Sequence, residues 1–339
     1  MTTMTAPEVK NIDDLYPDLT SLVFGIAIQD LDPTKVPAGL ASLMPTSARA
    51  NVRAKIGTGT PKAKGTRVSV NVEALAGAEK YARPNGQDYY ARPWGEHSDI
   101  EVLRKARENK QYVLLYGAPG TGKTALVEGA FPDELYTVLG SGDTELSDFI
   151  GGYVQTPSGS FEWVDGALVK SAEQGKVLLI DEIGLIDPKV LSAVYGLMDG
   201  RGEISITQNP ERGTVKAQAG FFVIGATNPN APGVRLSEAL LSRFSVQAEL
   251  TTDWALAKKL GVPATAVSAS QNLAKKQANG ETSWSPQMRE LLAFRDLSGI
   301  FGAKWAIQNL LASAPEIDRS VVADVFTRVF GEAVLPAKI

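Results

Sequence analysis

Three uninterrupted apolar runs stand out in the middle of the chain: Tyr112-Val-Leu-Leu-Tyr116, Lys176-Val-Leu-Leu-Ile180 and Phe221-Phe-Val-Ile-Gly-Ala226. Segments apolar on both faces suit strands of a parallel sheet covered by helices. The first enters a glycine loop, the second ends in two acids, and the third ends in Thr227-Asn228. Between them the period changes. Ser98-Asp-Ile-Glu101 has the form of a capping box, and Ile100, Leu103 and Ala106 follow at helical spacing. Asp187-Pro188 is a helix start, with Val190, Leu191, Val194, Leu197 and Met198 on one face and Gly200 as the stop. Residues 203–218 read as a hairpin: Ile204 and Ile206 alternate, Asn209 to Gly213 turn, and Thr214 to Gln218 return. From about residue 251 the strand signals cease. Ser285-Pro286 predicts another helix start. Ile317 to Phe330 predicts a last helix, with Val321, Val325 and Val329 on one face. These patterns predict an α/β body over residues 68–250, a helical domain over 251–339 and an extension over 1–67.

Composition narrows the chemistry. The chain has 339 residues, 44% apolar and 21% charged, with a net charge of −4. That length buries a large core without staples. It has no cysteine, which excludes cysteine zinc sites, Fe–S clusters and thiol catalysis. A single histidine is too little for a histidine metal site or a Ser-His-Asp triad. The net charge points neither to nucleic acid nor to an anionic membrane. No apolar run reaches the roughly 20 residues that cross a bilayer, and the N-terminus has no secretory pattern, so a cytoplasmic protein is expected. Between Asp32 and Glu73 every charge is basic: Lys35, Arg49, Arg53, Lys55, Lys62, Lys64 and Arg67. The Gly-, Thr- and Pro-rich centre of that stretch, residues 57–65, reads either as a solvated tether or as a phosphate- or partner-contacting arm.

Gly117-Ala118-Pro119-Gly120-Thr121-Gly122-Lys123-Thr124, followed by Ala125, satisfies G-x-x-x-x-G-K-[ST] between a strand and a helix. Its glycines let backbone N–H groups turn inward around a phosphate, and the following helix presents its positive end to the same anion. Lys123 brings a point charge to the outer phosphates, and the Thr124 hydroxyl is placed to ligate Mg²⁺. Asp181-Glu182 follows the second apolar run. A carboxylate at the end of a neighbouring parallel strand reaches the metal shell of such a nucleotide, which suits Asp181. Glu182 then polarises the attacking water as a general base.

With these residues together the chain resembles the AAA+ ATPases of the MoxR-like group, relatives of CbbQ, NorQ and CobS, over about residues 85–330. The resemblance rests on the phosphate loop, on Val177-Leu-Leu-Ile-Asp-Glu-Ile183 and on three further marks. Leu146-Ser-Asp-Phe-Ile-Gly-Gly152, Gly159-Ser-Phe161 and Val164-Asp-Gly-Ala-Leu168 look like the helix-2 insert of this clade, which in relatives faces the pore of a ring. The 203–218 hairpin corresponds to the hairpin before sensor 1. Gly225-Ala-Thr-Asn228-Pro and Leu240-Leu-Ser-Arg243-Phe resemble the sensor 1 and arginine-finger segments. The resemblance implies a P-loop NTPase parallel sheet flanked by helices, then an α-helical lid. It implies ATP and Mg²⁺ as ligands, with Asn228 orienting the water beside Glu182. Arg243 would reach a neighbouring subunit's site, with Arg235 as its rival. It also implies a hexameric ring and a chaperone-like action on a separate partner protein, such as a von Willebrand factor A-domain protein.

One departure from the family pattern concerns the lid. Relatives carry Ser-Pro-Arg or Ser-Thr-Arg at the sensor 2 helix; here the run is Ser285-Pro286-Gln287, with Arg289 two residues on. Two helical residues turn about 200°, nearly the opposite face, so either Arg289 serves through a shifted helix or Gln287 leaves the role weaker. Trp94 and His97 read as packing and surface residues or as neighbours of the adenine base, and Trp163 as packing for the insert or a pore contact. Two other functions remain open: a nucleic-acid-dependent motor using residues 33–72 as an arm, and a nucleotide-dependent scaffold with slow turnover.

Overall fold

In the computed structural model, which describes residues 79–336, the three apolar runs become the centre of a five-stranded sheet. Its strands are β1 (Val113–Tyr116), β2 (Leu135–Leu139), β5 (Val177–Asp181), β8 (Phe222–Thr227) and β9 (Val246–Glu249), in the order β9-β1-β8-β5-β2. Every pairing is parallel. The expected α/β parallel sheet flanked by helices and followed by a helical region is therefore present. Sequence patterning found three of the five strands. It missed β2 and β9, which lie at the edges, where half the residues stay in contact with solvent and no continuous apolar run is required. The basic extension, its linker and the start of order expected at Val68 lie outside the described residues.

Helix α1 (Asp99–Glu108) buries Ile100, Leu103 and Ala106 as its spacing requires. Only half of the expected capping box forms. Ser98 Oγ accepts from the Glu101 N–H at 3.2 Å, but the Glu101 carboxylate goes to Lys105 and His97. Helix α2 (Lys123–Ala130) leaves the glycine loop. The 146–174 segment is a helix interrupted by a hairpin: α3 (Leu146–Ile150), β3 (Gly151–Gln155), β4 (Phe161–Asp165) and α4 (Ala167–Gln174). Asp187 caps the next helix through the Lys189 N–H, with Pro188 in its first turn. The expected single helix is instead two α segments, Pro188–Leu191 and Tyr195–Met198, joined by a tighter 3₁₀ turn. The second hairpin pairs β6 (Glu203–Ser205) with β7 (Thr214–Lys216).

Arg212, in the turn of that second hairpin, ties the two hairpins together. Its guanidinium donates to both Asp165 oxygens at the end of β4 and pairs with Glu173 on α4. Trp163 Nε1 donates to the same Asp165 carboxylate at 2.7 Å, and its ring stacks edge-on against Tyr153. Trp163 is therefore a packing residue of the insert. Burial would raise the Asp165 carboxyl, but the bonds from Arg212 and Trp163 outweigh it and hold the group below its ordinary 3.8. A depressed carboxylate stabilises the fold above that ordinary value, and the contribution is lost as pH falls through the folded value. Arg212→Ala is expected to cost about 1–2 kcal/mol at neutral pH, discounted for partial exposure. The deficit should narrow below about pH 4 as wild type loses the same bonds. Thermal unfolding of both proteins against pH tests this, and an equal deficit at all pH would contradict it.

One apolar core runs from Tyr89 to Leu250 and a second from Ala257 to Val334. The second is built by α5 (Ala264–Ala278), α6 (Met288–Phe301), α7 (Ala303–Ala312) and α8 (Arg319–Phe330). Two expected boundaries shift. The helix expected at Ser285-Pro286 begins at Met288, because Gln287 takes the cap position and its N–H donates to the returning Glu290 carboxylate at 2.9 Å. The last helix begins at Arg319, not Ile317, which is 84% exposed; its buried face is Val322, Val325 and Phe326, with Val321 only half-buried. Among the described residues no helix is long and apolar enough to cross a membrane.

Candidate functional site

The C-terminal ends of β1, β5 and β8 converge, and the sequence-predicted residues converge with them. After β1 the chain enters residues 117–122 and then α2. Gly117 has φ 144°, and a Cβ there would stand 2.3 Å from the Leu250 carbonyl oxygen, so only glycine lets the loop pass so close to the end of β9. Lys123 is buried. Its Nζ donates to the Gly117 and Ala118 carbonyls at 2.9 and 3.1 Å, folding the ammonium back over the loop. Burial pulls its pKa below the usual lysine value, while the Glu182 and Asp181 carboxylates pull the other way. Thr121 is buried, and its hydroxyl bonds the Ala118 carbonyl.

Asp181 ends β5, and Thr124 Oγ1 donates to its Oδ2 at 2.8 Å. A hydroxyl and a carboxylate beside a phosphate cradle are hard oxygen donors of the kind Mg²⁺ takes when it keeps most of its other ligands as water and phosphate. Glu182 leaves the strand in a left-handed conformation, φ 50° and ψ 39°, unusual for a residue with a side chain. Its Oε2 is buried and makes no hydrogen bond. Asn228 follows β8 directly and is half-buried. Its Oδ1 accepts from the Asn230 N–H at 3.2 Å, bracing the turn after the strand.

The lid enters the site through its backbone. The Arg289 N–H donates to the Gly120 carbonyl at 3.1 Å, and the Arg289 charge is near enough to disfavour the charged form of Lys123. With α6 starting at Met288, position 289 lies in the first turn, and its backbone meets the phosphate loop. Gln287 is occupied elsewhere. Its side chain accepts from Thr252 Oγ1 at 2.7 Å and donates to Ser285. Arg243 and Arg235 differ. The Arg243 guanidinium lies over the Tyr195 ring at 4.1 Å and donates to the Ala239 carbonyl, and its Nε is buried without a partner. Arg235 is exposed, and its N–H donates to the Gly184 carbonyl at 2.7 Å.

Sequence reading missed Arg92. Its Nη1 donates to the carbonyls of Thr121 in the loop and Thr251 after β9, at 3.2 and 3.3 Å. Its Nε bonds Tyr89 Oη at 3.0 Å, and Asp99 lies beside both. Burial pushes the Tyr89 hydroxyl far up, so it stays a neutral donor to Asp99. Arg92 and Trp94 line a cavity of about 460 Å³ together with Leu126, Leu250 and Thr251. Nothing local marks Arg92 as a neighbour of the loop, because the carbonyls that tie it there are 29 and 159 residues away. His97 is exposed and pairs with Glu101 at 3.2 Å.

Residues 112–244 match the family model of the AAA domain, dynein-related subfamily. Among curated proteins, midasin of Giardia intestinalis is 32% identical over 148 residues, 42% of this chain and 3% of midasin. The uncharacterized protein YojN of Bacillus subtilis (strain 168) is 36% identical over 142 residues, 40% of this chain and 46% of that protein. The chain thus spans less than half the length of either relative. A solved structure from Cytophaga hutchinsonii is similar at 18% identity and a TM-score of 0.40, over 66% of this chain and 78% of that one. The loop and paired acids both fall inside the segment that matches the AAA-domain model.

Proposed function

We propose that this chain is a ring-forming, MoxR-like AAA+ ATPase that hydrolyses ATP with Mg²⁺ and uses the cycle to remodel or activate a separate protein. The observation that carries the reading is the 2.8 Å contact between Thr124 and Asp181, with the buried, unpaired Glu182 oxygen next in the chain. The triphosphate occupies the cradle of residues 117–125. Lys123 exchanges its bonds to the Gly117 and Ala118 carbonyls for phosphate oxygens. Thr124 and Asp181 would hold Mg²⁺, which would supply charge neutralisation at the transferring phosphoryl group. Glu182 takes the proton of the attacking water, and Asn228 orients that water. The cavity beside Arg92 and Trp94 receives the base, since a purine needs apolar walls and few polar groups. Arg289, held against Gly120, carries the nucleotide state to the lid over residues 251–339, which moves against the body over residues 68–250.

The finger acts between subunits. Arg243 of the partner subunit stabilises the phosphoryl charge, which a planar cation does well. The stacking on Tyr195 is then the resting position of that side chain, released on assembly into a hexameric ring. The exposed apolar tip of the insert, with Tyr153 at 57% and Phe161 at 65%, supports contact with a protein partner in the manner of a chaperone. Such partners include a von Willebrand factor A-domain protein. The test is subunit mixing. Arg243→Ala and Glu182→Gln should each be nearly inactive alone. Mixed, they should regain hydrolysis, because some interfaces then join an intact Glu182 to an intact Arg243. Mixtures that stay inactive while co-assembling would defeat the trans finger.

A further inference from the structure

We infer that the Thr227 hydroxyl is a positioning group for the Glu182 carboxylate; the inference rests on Glu182 being the base. Strands β5 and β8 are in parallel register, with Gly225 opposite Ile180. The pairing stops there; Thr227 ends β8, and Glu182 directly follows the end of β5. Thr227 is 1% exposed, yet its Oγ1 makes no hydrogen bond. Glu182 Oε2, also buried, makes none. A hydroxyl can donate and a carboxylate can only accept, so the two unmet groups are complementary. A buried polar atom without a partner costs the fold stability unless a second state uses it.

The backbone between them is held close. A Cβ on Gly184 would stand 2.8 Å from Thr227 Oγ1 and 2.6 Å from Val234 Cγ1. Glycine at 184 therefore lets the turn after Glu182 lie directly on the Thr227 hydroxyl. The same turn receives the Arg235 N–H at the Gly184 carbonyl, which pins it to the segment following Asn228. Glu182 is thus held in its left-handed conformation at the mouth of β5, and only its side-chain torsions stay free. Rotation about them brings the carboxylate from its unpaired position to the Thr227 hydroxyl. There one oxygen accepts from Thr227 and the other faces the attacking water. Thr227 touches no nucleotide atom in this arrangement; it acts through Glu182.

The experiment compares Thr227→Val, Thr227→Ala and Thr227→Ser for turnover, nucleotide affinity and thermal stability. Valine keeps the shape and removes a hydroxyl that is unpaired in the resting fold, so its melting temperature should equal or exceed wild type. Its kcat should fall about tenfold or more, the value of a hydrogen bond to a charged group, with nucleotide Kd within about twofold. Alanine should lose the same kcat. Serine, which keeps the hydroxyl, should hold kcat within about threefold of wild type. In a Glu182→Gln background Thr227→Val should add nothing, because positioning an absent base has no value. Full-speed valine or alanine variants overturn the inference. So does a serine variant as slow as valine, or a loss of kcat that tracks a loss of melting temperature. If Glu182→Gln itself turns over at the wild-type rate, the base reading and this inference fall together. If Glu182→Gln is dead and Thr227→Val is not, only the inference falls.

Discussion

Glu182→Gln should lower ATP turnover by about 10³-fold while nucleotide affinity stays within about threefold of wild type. The substitution keeps size, replaces one acceptor oxygen by an NH2 donor, and removes the charge and the ability to take a proton. No hydrogen bond of the cradle involves that carboxylate: Lys123 bonds the Gly117 and Ala118 carbonyls, and Thr124 bonds Asp181. Its Oε2 is unpaired in the resting fold, so the neutral amide breaks no existing bond at that atom and stability should be unchanged. Phosphate release in single turnover, beside equilibrium binding of a labelled nucleotide, separates the two quantities. Parallel loss of both would mean that Glu182 holds the nucleotide and does not activate water.

Lys123→Met should do the reverse, weakening nucleotide binding by about a hundredfold, since truncating one partner of a buried, hydrogen-bonded charge pair costs a few kcal/mol. The nucleotide-free protein should lose little stability. Burial already disfavours the Lys123 ammonium, and methionine replaces the stem with apolar volume of similar length. Melting with and without nucleotide reads both effects. Wild type should gain about 2.7 kcal/mol at a ligand concentration a hundred times its dissociation constant, and the variant almost none. A variant that melts far below wild type without nucleotide would show instead that the lysine's two carbonyl bonds hold the loop together.

The two substitutions divide the site into a cradle that binds and an acid that reacts. Both parts were legible in the sequence, because each depends on residues adjacent in the chain. The loop needs glycines at set spacing before a helix, and the acids need only to follow a buried strand. Asn228 and Arg243 were proposed through resemblance; the bond from the Asn230 N–H to Asn228 is local to its turn, whereas the stacking of Arg243 on Tyr195 comes from tertiary packing. The sequence left Arg289 and Gln287 as alternatives, because it did not fix where their helix starts. The helix starts at Met288, capped locally by the reciprocal Gln287–Glu290 bonds, while Thr252, 35 residues away, donates to the Gln287 side-chain oxygen.

The sequence by itself determined the phosphate loop, the paired acids, the central strands and the helical tail, since their signals are local in spacing and polarity. Only the tertiary structure decided the edge strands, the Arg92 link between the phosphate loop and Thr251, the Arg212 tie between hairpins, and the burial of unpaired Thr227 and Glu182 oxygens at the ends of separate strands. Each of these rests on groups brought together across separate strands or loops. Their energies come from burial and from hydrogen bonds between distant residues, which no window along the chain contains.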